Sequence, residues 1–278
     1  MPNYRDQITD YETALADTGH QPGITKWAAR ERTGSWFPAL MQQRMQDMTS
    51  WQIAHFTGLV TAEFSSGGVN TEVITISAVG EGGVLMTTAV VDNDSAFIHS
   101  SKATTILGQD AHWDATLEPF MVARVLCGPA NDQQNTEVEY SIGLAKEDPD
   151  TGPSAALGGT AEGARWRVTN GAAGGAVANW TTETTIGDAD TVVDSNVLSQ
   201  RATFVPLGVF LDADRKAHYY SDLARAAGTL VKQGDTSAAL VTGLLSPHML
   251  VQVNNADGDD AKAMAVAWAY WGQRTVAR

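Results

Sequence analysis

Cysteine is nearly absent from this sequence, in which Cys127 is the only one among 278 residues. A single thiol cannot close a disulfide within the chain and cannot build a multi-cysteine zinc site. The thiol follows the apolar run Met121-Val-Ala-Arg-Val-Leu126, so we expect it to be buried and inert. The six histidines are scattered, with no pair four residues apart, and they predict no zinc site either.

Basic residues and long apolar runs are also scarce. The chain has 18 Lys and Arg against 32 Asp and Glu, for a formal net charge of -14. Such a charge repels phosphate backbones, and no stretch forms a basic stripe, so nucleic-acid binding is not expected. No apolar run reaches the roughly 18 residues of a membrane span, and the N-terminus is polar rather than signal-like. We therefore expect a soluble protein with no membrane partner.

Motifs for catalysis or cofactor binding are missing as well. Glucanases on β-sandwiches place their carboxylates in a Glu-x-Asp-x-x-Glu string, which does not occur here. No Gly-x-Ser-x-Gly elbow or phosphate-binding loop occurs either. Two Asp-rich loops, Asp188 to Asp194 and Asp257 to Asp260, lack EF-hand spacing and are interpreted as turns rather than Ca²⁺ sites. We expect no enzyme activity, no cofactor and no metal.

Short strand patterns, by contrast, recur from Phe56 to the end of the chain. Glu137–Leu144 alternates cleanly, which predicts that Val138, Tyr140, Ile142 and Leu144 face a core while Glu137, Glu139 and Ser141 face outward, the two glutamates as ordinary solvated residues. Hairpins are predicted around Gly80–Gly83 and Asp212–Lys216. About a dozen such strands without intervening helices favour an all-β, antiparallel sandwich or jelly roll.

The sharpest alternation lies near the C-terminus. From Lys262 to Trp271, large side chains at Met264, Val266, Trp268 and Tyr270 alternate with alanines. This pattern predicts a strand with one large, core-filling face and one alanine face that another layer can approach closely.

Residues 1–55 differ from the rest and are predicted to form an N-terminal arm outside a sandwich domain of residues 56–278. Short helices are expected from Tyr4 to Ala16 and from Phe37 to Trp51. The arm is too short to form its own core yet carries Trp27, Trp36 and Trp51, which are therefore candidates for contacts with a partner. Docking of the arm on its own domain is the alternative.

The order of features from Phe120 to Trp271 resembles the concanavalin A-like jelly-roll domain of tailed-phage virion proteins. The matching pieces are Phe120-x-Val-x-Arg124, Ile142-Gly-Leu-Ala145, Trp180-Thr-Thr-Glu-Thr-Thr185, Leu207-Gly-Val-Phe-Leu-Asp-Ala-Asp214, His218-Tyr-Tyr220 and Trp268-Ala-Tyr-Trp271. The segment Tyr219-Tyr-Ser-Asp222 departs from the family pattern, and the lectin-type metal and sugar residues are not identifiable. The resemblance implies a structural or attachment role in a virion.

These observations lead to a ranked set of expectations. The first is a non-enzymatic capsid decoration protein, made in the host cytoplasm and placed on the outer capsid surface, that binds the major capsid protein or other virion subunits and forms homo-oligomers. The second is a carbohydrate-binding module of a tail fibre or secreted protein, in which Trp113, Tyr219 and Tyr220 are candidates for stacking on surface glycans. Burial of most of these aromatic side chains in the core is favoured over stacking. A glycoside hydrolase or lyase on the same sandwich is third.

Overall fold

A computed structural model describes fourteen stretches of the chain. They are residues 51–56, 65–69, 73–76, 83–89, 94–99, 113–128, 138–146, 162–170, 179–187, 189–199, 204–221, 231–240, 243–253 and 262–274. The predicted arm lies outside the described residues up to residue 50. From Trp51 onward the chain forms a strand of the sandwich, so Trp51 begins a strand rather than ending a helix.

The described residues form sixteen strands and one short 3₁₀ helix, Ala115–Leu117. The strands are β1 Trp51–Phe56, β2 Ser65–Val69, β3 Val73–Ile76, β4 Val84–Thr87, β5 Ser95–His99, β6 Trp113–Asp114, β7 Phe120–Cys127, β8 Val138–Lys146, β9 Gly163–Asn170, β10 Asn179–Ile186, β11 Ala189–Leu198, β12 Val205–Leu211, β13 Ala217–Ser221, β14 Val231–Asp235, β15 Leu244–Val253 and β16 Ala263–Arg274. Within this part of the chain, no helix is long and apolar enough to cross a membrane.

Two antiparallel sheets of eight strands form the two layers. Sheet A has the order β14-β13-β12-β7-β16-β4-β3, and β1 also pairs with β16. Sheet B has the order β11-β10-β9-β8-β15-β5-β2, and β6 also pairs with β15. The layers contact each other through β4 with β5, β16 with β15, β7 with β8 and β12 with β9. The predicted all-β sandwich is confirmed.

The predicted hairpins are confirmed too. β3 pairs antiparallel with β4, and β12 pairs with β13 across the turn that begins at Asp212. The carboxylate of Asp212 organises this turn, because its Oδ1 accepts hydrogen bonds from the backbone N–H groups of Asp214 and Lys216, both at 2.9 Å. A short polar side chain at the start of a turn commonly makes such contacts.

The core lies between the sheets, and Trp166 connects them. Its indole N–H donates a hydrogen bond from sheet B to the carbonyl of Gly208 in sheet A at 2.9 Å. The ring packs edge-on against Tyr219 with centroids 5.8 Å apart, and the Tyr219 hydroxyl donates to the carbonyl of Glu183 at 2.7 Å. Aromatic side chains with a polar group are buried at low cost when that group finds a partner in this way.

The predicted alternation of β16 is wrong beyond Val266. Met264 and Val266 face the core, but the next core residues on this strand are Ala269 and Trp271. The register against β7 shifts between Val266 and Trp268, which marks a β-bulge. One extra residue in a strand reverses the faces of all the residues that follow. An alanine and a tryptophan therefore fill the core where Trp268 and Tyr270 were expected.

Gly83, the residue before β4, allows the backbone of that strand to lie close to this bulge. Its φ of +91° lies in the region that favours glycine. An added Cβ would sit 2.0 Å from the carbonyl oxygen of Val266, at the bulge itself. The approach of the two backbones therefore requires glycine at this position.

Candidate functional site

The outer face of sheet B carries a row of residues aligned across five strands, and four of them are polar. Each residue of the row is directly paired with the next one on the neighbouring strand. In order from β10 to β5, the row consists of Glu183, Arg165, Gly143, His248 and His99. The residues that alternate with them, such as Trp166 and Ile142, face the core. The row is therefore on the side of the sheet turned away from the apolar interior, and this is the candidate site.

An ion cluster occupies the β8–β10 part of this face. Arg165 donates to Glu183 through Nε at 2.7 Å and also through Nη2. Arg167 bridges the two carboxylates, with Nη1 2.8 Å from Glu183 Oε2 and Nη2 2.8 Å from Glu139 Oε2. The side chains of Arg165 and Glu183 are each 1% exposed, whereas that of Arg167 is 23% exposed. Arg167 thus connects a buried charge cluster with the surface.

The two carboxylates of the cluster have opposite pKa shifts. Burial raises the pKa of Glu139 above its ordinary value, although Arg167 opposes this effect. Burial would also raise the pKa of Glu183, but the charges of Arg165 and Arg167 and their hydrogen bonds outweigh it and hold that pKa below its ordinary value. Glu183 therefore remains ionised more readily than an ordinary glutamate, and Glu139 is the carboxyl that protonates more readily.

The cluster retains unused hydrogen-bonding capacity. Glu139 Oε1, Arg165 Nη1 and Arg167 Nε are buried and have no hydrogen-bond partner. A carboxylate oxygen only accepts and a guanidinium N–H only donates, whereas an alcohol hydroxyl does both. Because these atoms are buried, only the exposed part of Arg167 can donate hydrogen bonds to a ligand hydroxyl.

Ser141 and His248 form the neighbouring part of the face. Ser141 Oγ lies 3.1 Å from His248 Nε2, which is within the reach of a nucleophile and its base. Both side chains are completely buried, however, so the hydroxyl is not open to a substrate. The adjacent His99 is neutral near pH 7, because burial lowers its pKa to about 4. We interpret the Ser141–His248 contact as a structural hydrogen bond.

The raised pKa of Glu139 predicts a pH-dependent stability. A carboxyl with a folded-state pKa above its unfolded value stabilises the fold below about pH 4.3, and this stabilisation is lost as the pH rises through the folded pKa. The Glu139→Gln variant does not lose this stability as the pH rises. The difference between its urea midpoint and that of wild type should therefore increase from about pH 4 to about pH 7 in favour of the variant.

An Asp212→Asn variant provides the matched control with the opposite sign. Partial burial would raise the pKa of Asp212, but hydrogen bonds from His218 and from two backbone N–H groups hold it below its ordinary value. The stability that Asp212 contributes is therefore lost as the pH falls through its folded pKa. A difference between wild type and Glu139→Gln that stays constant with pH would contradict the assignment of Glu139.

The interpretation of Glu139 as a solvated residue is wrong, and its neighbour Ser141 is not solvated either. Both lie on the outer face as predicted, but Glu139 is 3% exposed and Ser141 is fully buried. The signal for the cluster was present in Arg165-Trp-Arg167, where two like charges flank a core tryptophan. Two arginines on one face of a strand require anionic partners, and these come from the strands on either side.

The aromatic residues considered for sugar stacking lie in the interior. Trp113 and Tyr219 belong to the core, each with 2% exposure, and Tyr220 is 6% exposed. Stacking on a sugar would require these rings to leave their packed positions. Of the candidates for partner contact, Trp27 and Trp36 lie outside the described residues, and for Trp51 the structure describes the strand alone.

The Asp-rich loops are described only in part. Asp190 Oδ1 accepts a hydrogen bond from Thr185, and Asp194 Oδ2 accepts one from Asn179. Asp188 and the loop from Asp257 to Asp260 lie outside the described residues. Among the described residues, no three carboxylates, histidines or cysteines come together as metal ligands.

Comparison with known proteins gives likenesses of fold. No family model and no curated protein matches the chain. A protein of unknown function from Shewanella oneidensis MR-1 is 13% identical, with 93% of this chain and 99% of that one covered and a TM-score of 0.57. Peanut lectin is 8% identical, with 81% and 99% covered and a TM-score of 0.53. The CBM2 module of the evolved Dit of Lactobacillus casei BL23 phage J-1 is 10% identical, with 82% and 98% covered and a TM-score of 0.51.

These likenesses, together with the two antiparallel sheets, establish the architecture. The chain has an all-β, antiparallel sandwich fold like that of peanut lectin and the CBM2 module. The sequence resemblance is confirmed for the fold. Identities this low carry no activity over to this chain.

Proposed function

We propose that this protein binds carbohydrate without catalysis and serves a tailed-phage virion as an attachment module. The observation that carries the proposal is Arg167, whose side chain is 23% exposed on the outer face of sheet B while it bridges the buried carboxylates of Glu139 and Glu183. Sugar hydroxyls would accept hydrogen bonds from this guanidinium. Arg167, the exposed member of the cluster, would make first contact with the sugar.

The fold neighbours support this proposal. One is a legume lectin and another is a carbohydrate-binding module of a phage Dit protein, and both are non-enzymatic by name. The phage origin of the second supports the virion setting. The structural interpretation of Ser141 and His248 also agrees with a non-catalytic role, since neither side chain is accessible.

A glycan array followed by calorimetry tests the proposal. The substitution Arg167→Lys keeps the charge but removes the planar fork, and it should weaken binding of any glycan hit at least tenfold, because charge-assisted hydrogen bonds contribute about 1.5 to 3 kcal/mol each. His218→Gln, at a half-buried pair on sheet A, is the control and should leave affinity unchanged. An array without hits would overturn the sugar proposal, and equal affinity of Arg167→Lys and wild type would move the site elsewhere.

Capsid decoration is the second candidate, and the net charge of -14 favours it. An acidic protein suits the outer surface of a shell better than a surface that lines packaged genome. The major capsid protein as partner and the outer capsid as location are proposals on this basis. Co-sedimentation with shells, at a fixed ratio to the shell subunit, would support them, and binding that persists without residues 1–50 would show that the arm is not the contact.

A further inference from the structure

The first six residues of the outermost strand of sheet B are exposed on both faces. β11 is paired with β10 along one side, and it is the last strand of the sheet in the part of the chain that the structure describes. Every residue from Ala189 to Asp194 is exposed. Val192 is 54% and Val193 is 56% exposed, and consecutive strand residues point to opposite faces. This part of the strand therefore presents an exposed apolar side chain on each face.

We propose that β11 pairs antiparallel with β11 of a second copy of this chain, which joins two sheets B into one sheet across a two-fold axis. An edge strand offers a row of backbone donors and acceptors that another strand can pair with. A second copy supplies a strand of identical length and composition, and a two-fold axis closes the assembly at a dimer.

Symmetry limits the register of this pairing. The two-fold axis must be perpendicular to the sheet, so each side chain stays on its own face after rotation. Residues directly opposite each other share a face, and therefore one residue must lie opposite its own copy. The centre of the pairing is thus a residue and not a point between two residues.

The charges on β11 select which residue is the centre. With Val192 at the centre, Asp190 lies opposite Asp194 twice, and like charges directly opposite destabilise a sheet. With Thr191 at the centre, only residues 189–193 of each strand can pair, because β11 begins at Ala189. With Val193 at the centre, the pairing extends past Asp194, and Asp194 lies opposite Val192, so Asp190 and Asp194 do not face each other. The proposed register therefore centres on Val193.

Val193 also lies on the favourable face of the sheet. It pairs with Thr182 of β10, on the face that β10 turns toward sheet A, and the two Val193 side chains would meet there across the axis. Val192, Asp190 and Asp194 lie on the other face, where Asp190 already accepts a hydrogen bond from Thr185. The two aspartates thus disfavour the registers centred on residues 190, 192 and 194 while leaving Asp190 and Asp194 apart in the Val193 pairing.

Cysteine cross-linking tests the register directly. The Val193→Cys variant should form a covalent dimer under mild oxidation, because opposite Cα atoms in antiparallel strands are about 4.5 to 5.5 Å apart, within the range of a disulfide. Val192→Cys is the matched control. Its two copies would be offset by two residues along the strands, about 8 Å apart, and should not cross-link. The native Cys127 is 3% exposed and does not compete.

Sedimentation velocity measures the dimer without cross-linking. Wild type should approach twice the monomer mass of 29.6 kDa at tens of micromolar, whereas Val193→Lys should remain a monomer with an unchanged unfolding midpoint, since Val193 is exposed. A monomeric wild type would overturn the proposal and leave the edge to a different partner. Equal cross-linking of Val192→Cys and Val193→Cys, or a dimer that persists in Val193→Lys, would overturn the register.

Discussion

Replacing Glu183 by glutamine is expected to lower the free energy of unfolding by about 3 to 5 kcal/mol. The substitution removes the anion that Arg165 contacts through two nitrogens, and the Arg165 side chain is 1% exposed. Breaking a buried ion pair leaves an uncompensated buried charge, which is costly in this range. Chemical denaturation followed by tryptophan fluorescence measures the change.

Two further variants separate the lost charge from other effects. Combining Glu183→Gln with Arg165→Met removes both charges and should recover part of the lost stability. Asp212→Asn weakens the partly exposed pair with His218 on sheet A, and it should lower the free energy of unfolding by less than about 1 kcal/mol. If Glu183→Gln is no more destabilising than Asp212→Asn, the cluster contributes little to stability and its burial needs a different explanation.

Replacing Trp166 by alanine should lower the free energy of unfolding by a similar amount, about 3 to 5 kcal/mol. The ring is fully buried, packs edge-on against Tyr219, and donates its N–H to the carbonyl of Gly208 in the other sheet. Its removal leaves a cavity between the layers and an inter-sheet hydrogen bond unmade. Thermal and urea unfolding of the variant would measure the cost.

Trp166→Phe is the matched control because it keeps an aromatic ring but loses the N–H. It should cost less than the alanine variant, and the part that remains reflects the hydrogen bond and the smaller ring. A cost for Trp166→Ala within 1 kcal/mol of that for Trp166→Phe would mean that the sandwich collapses around the missing ring.

A dimer through β11 would also alter glycan binding. It would present two copies of the polar face on one rigid assembly. A surface bearing many glycans would then bind the dimer more tightly than the monomer without any new contact. The site variant Arg167→Lys and the edge variant Val193→Lys therefore act on separate quantities, the intrinsic affinity and the valency.

Local patterns were sufficient to predict the fold class and much of the core. The alternation in β8 places Val138, Tyr140, Ile142 and Leu144 in the interior, as observed. The turn residues around Asp212 predict the β12–β13 hairpin. Both signals are local, because side-chain direction in a strand repeats every two residues and a turn depends on the few residues that form it.

Strands without a local signal were not predicted. β2 has the sequence Ser-Ser-Gly-Gly-Val and β14 has Val-Lys-Gln-Gly-Asp. Neither alternates between apolar and polar residues, and glycine is unfavourable in strands. β1 was assigned to a helix and an arm, yet it pairs along its whole length with the end of β16. These segments are strands because neighbouring strands pair with them.

The sequence by itself determined that this chain is an acidic, all-β sandwich, because composition and two-residue periodicity are properties of the chain alone. Only the tertiary structure decided where its charges and faces lie. Glu139 and Arg167 are 28 positions apart, and Arg165 and Glu183 are 18 apart, so strand pairing alone brings them into one buried cluster. The bulge at Val266 likewise arises from the register of β16 against β7, which no pattern within β16 contains.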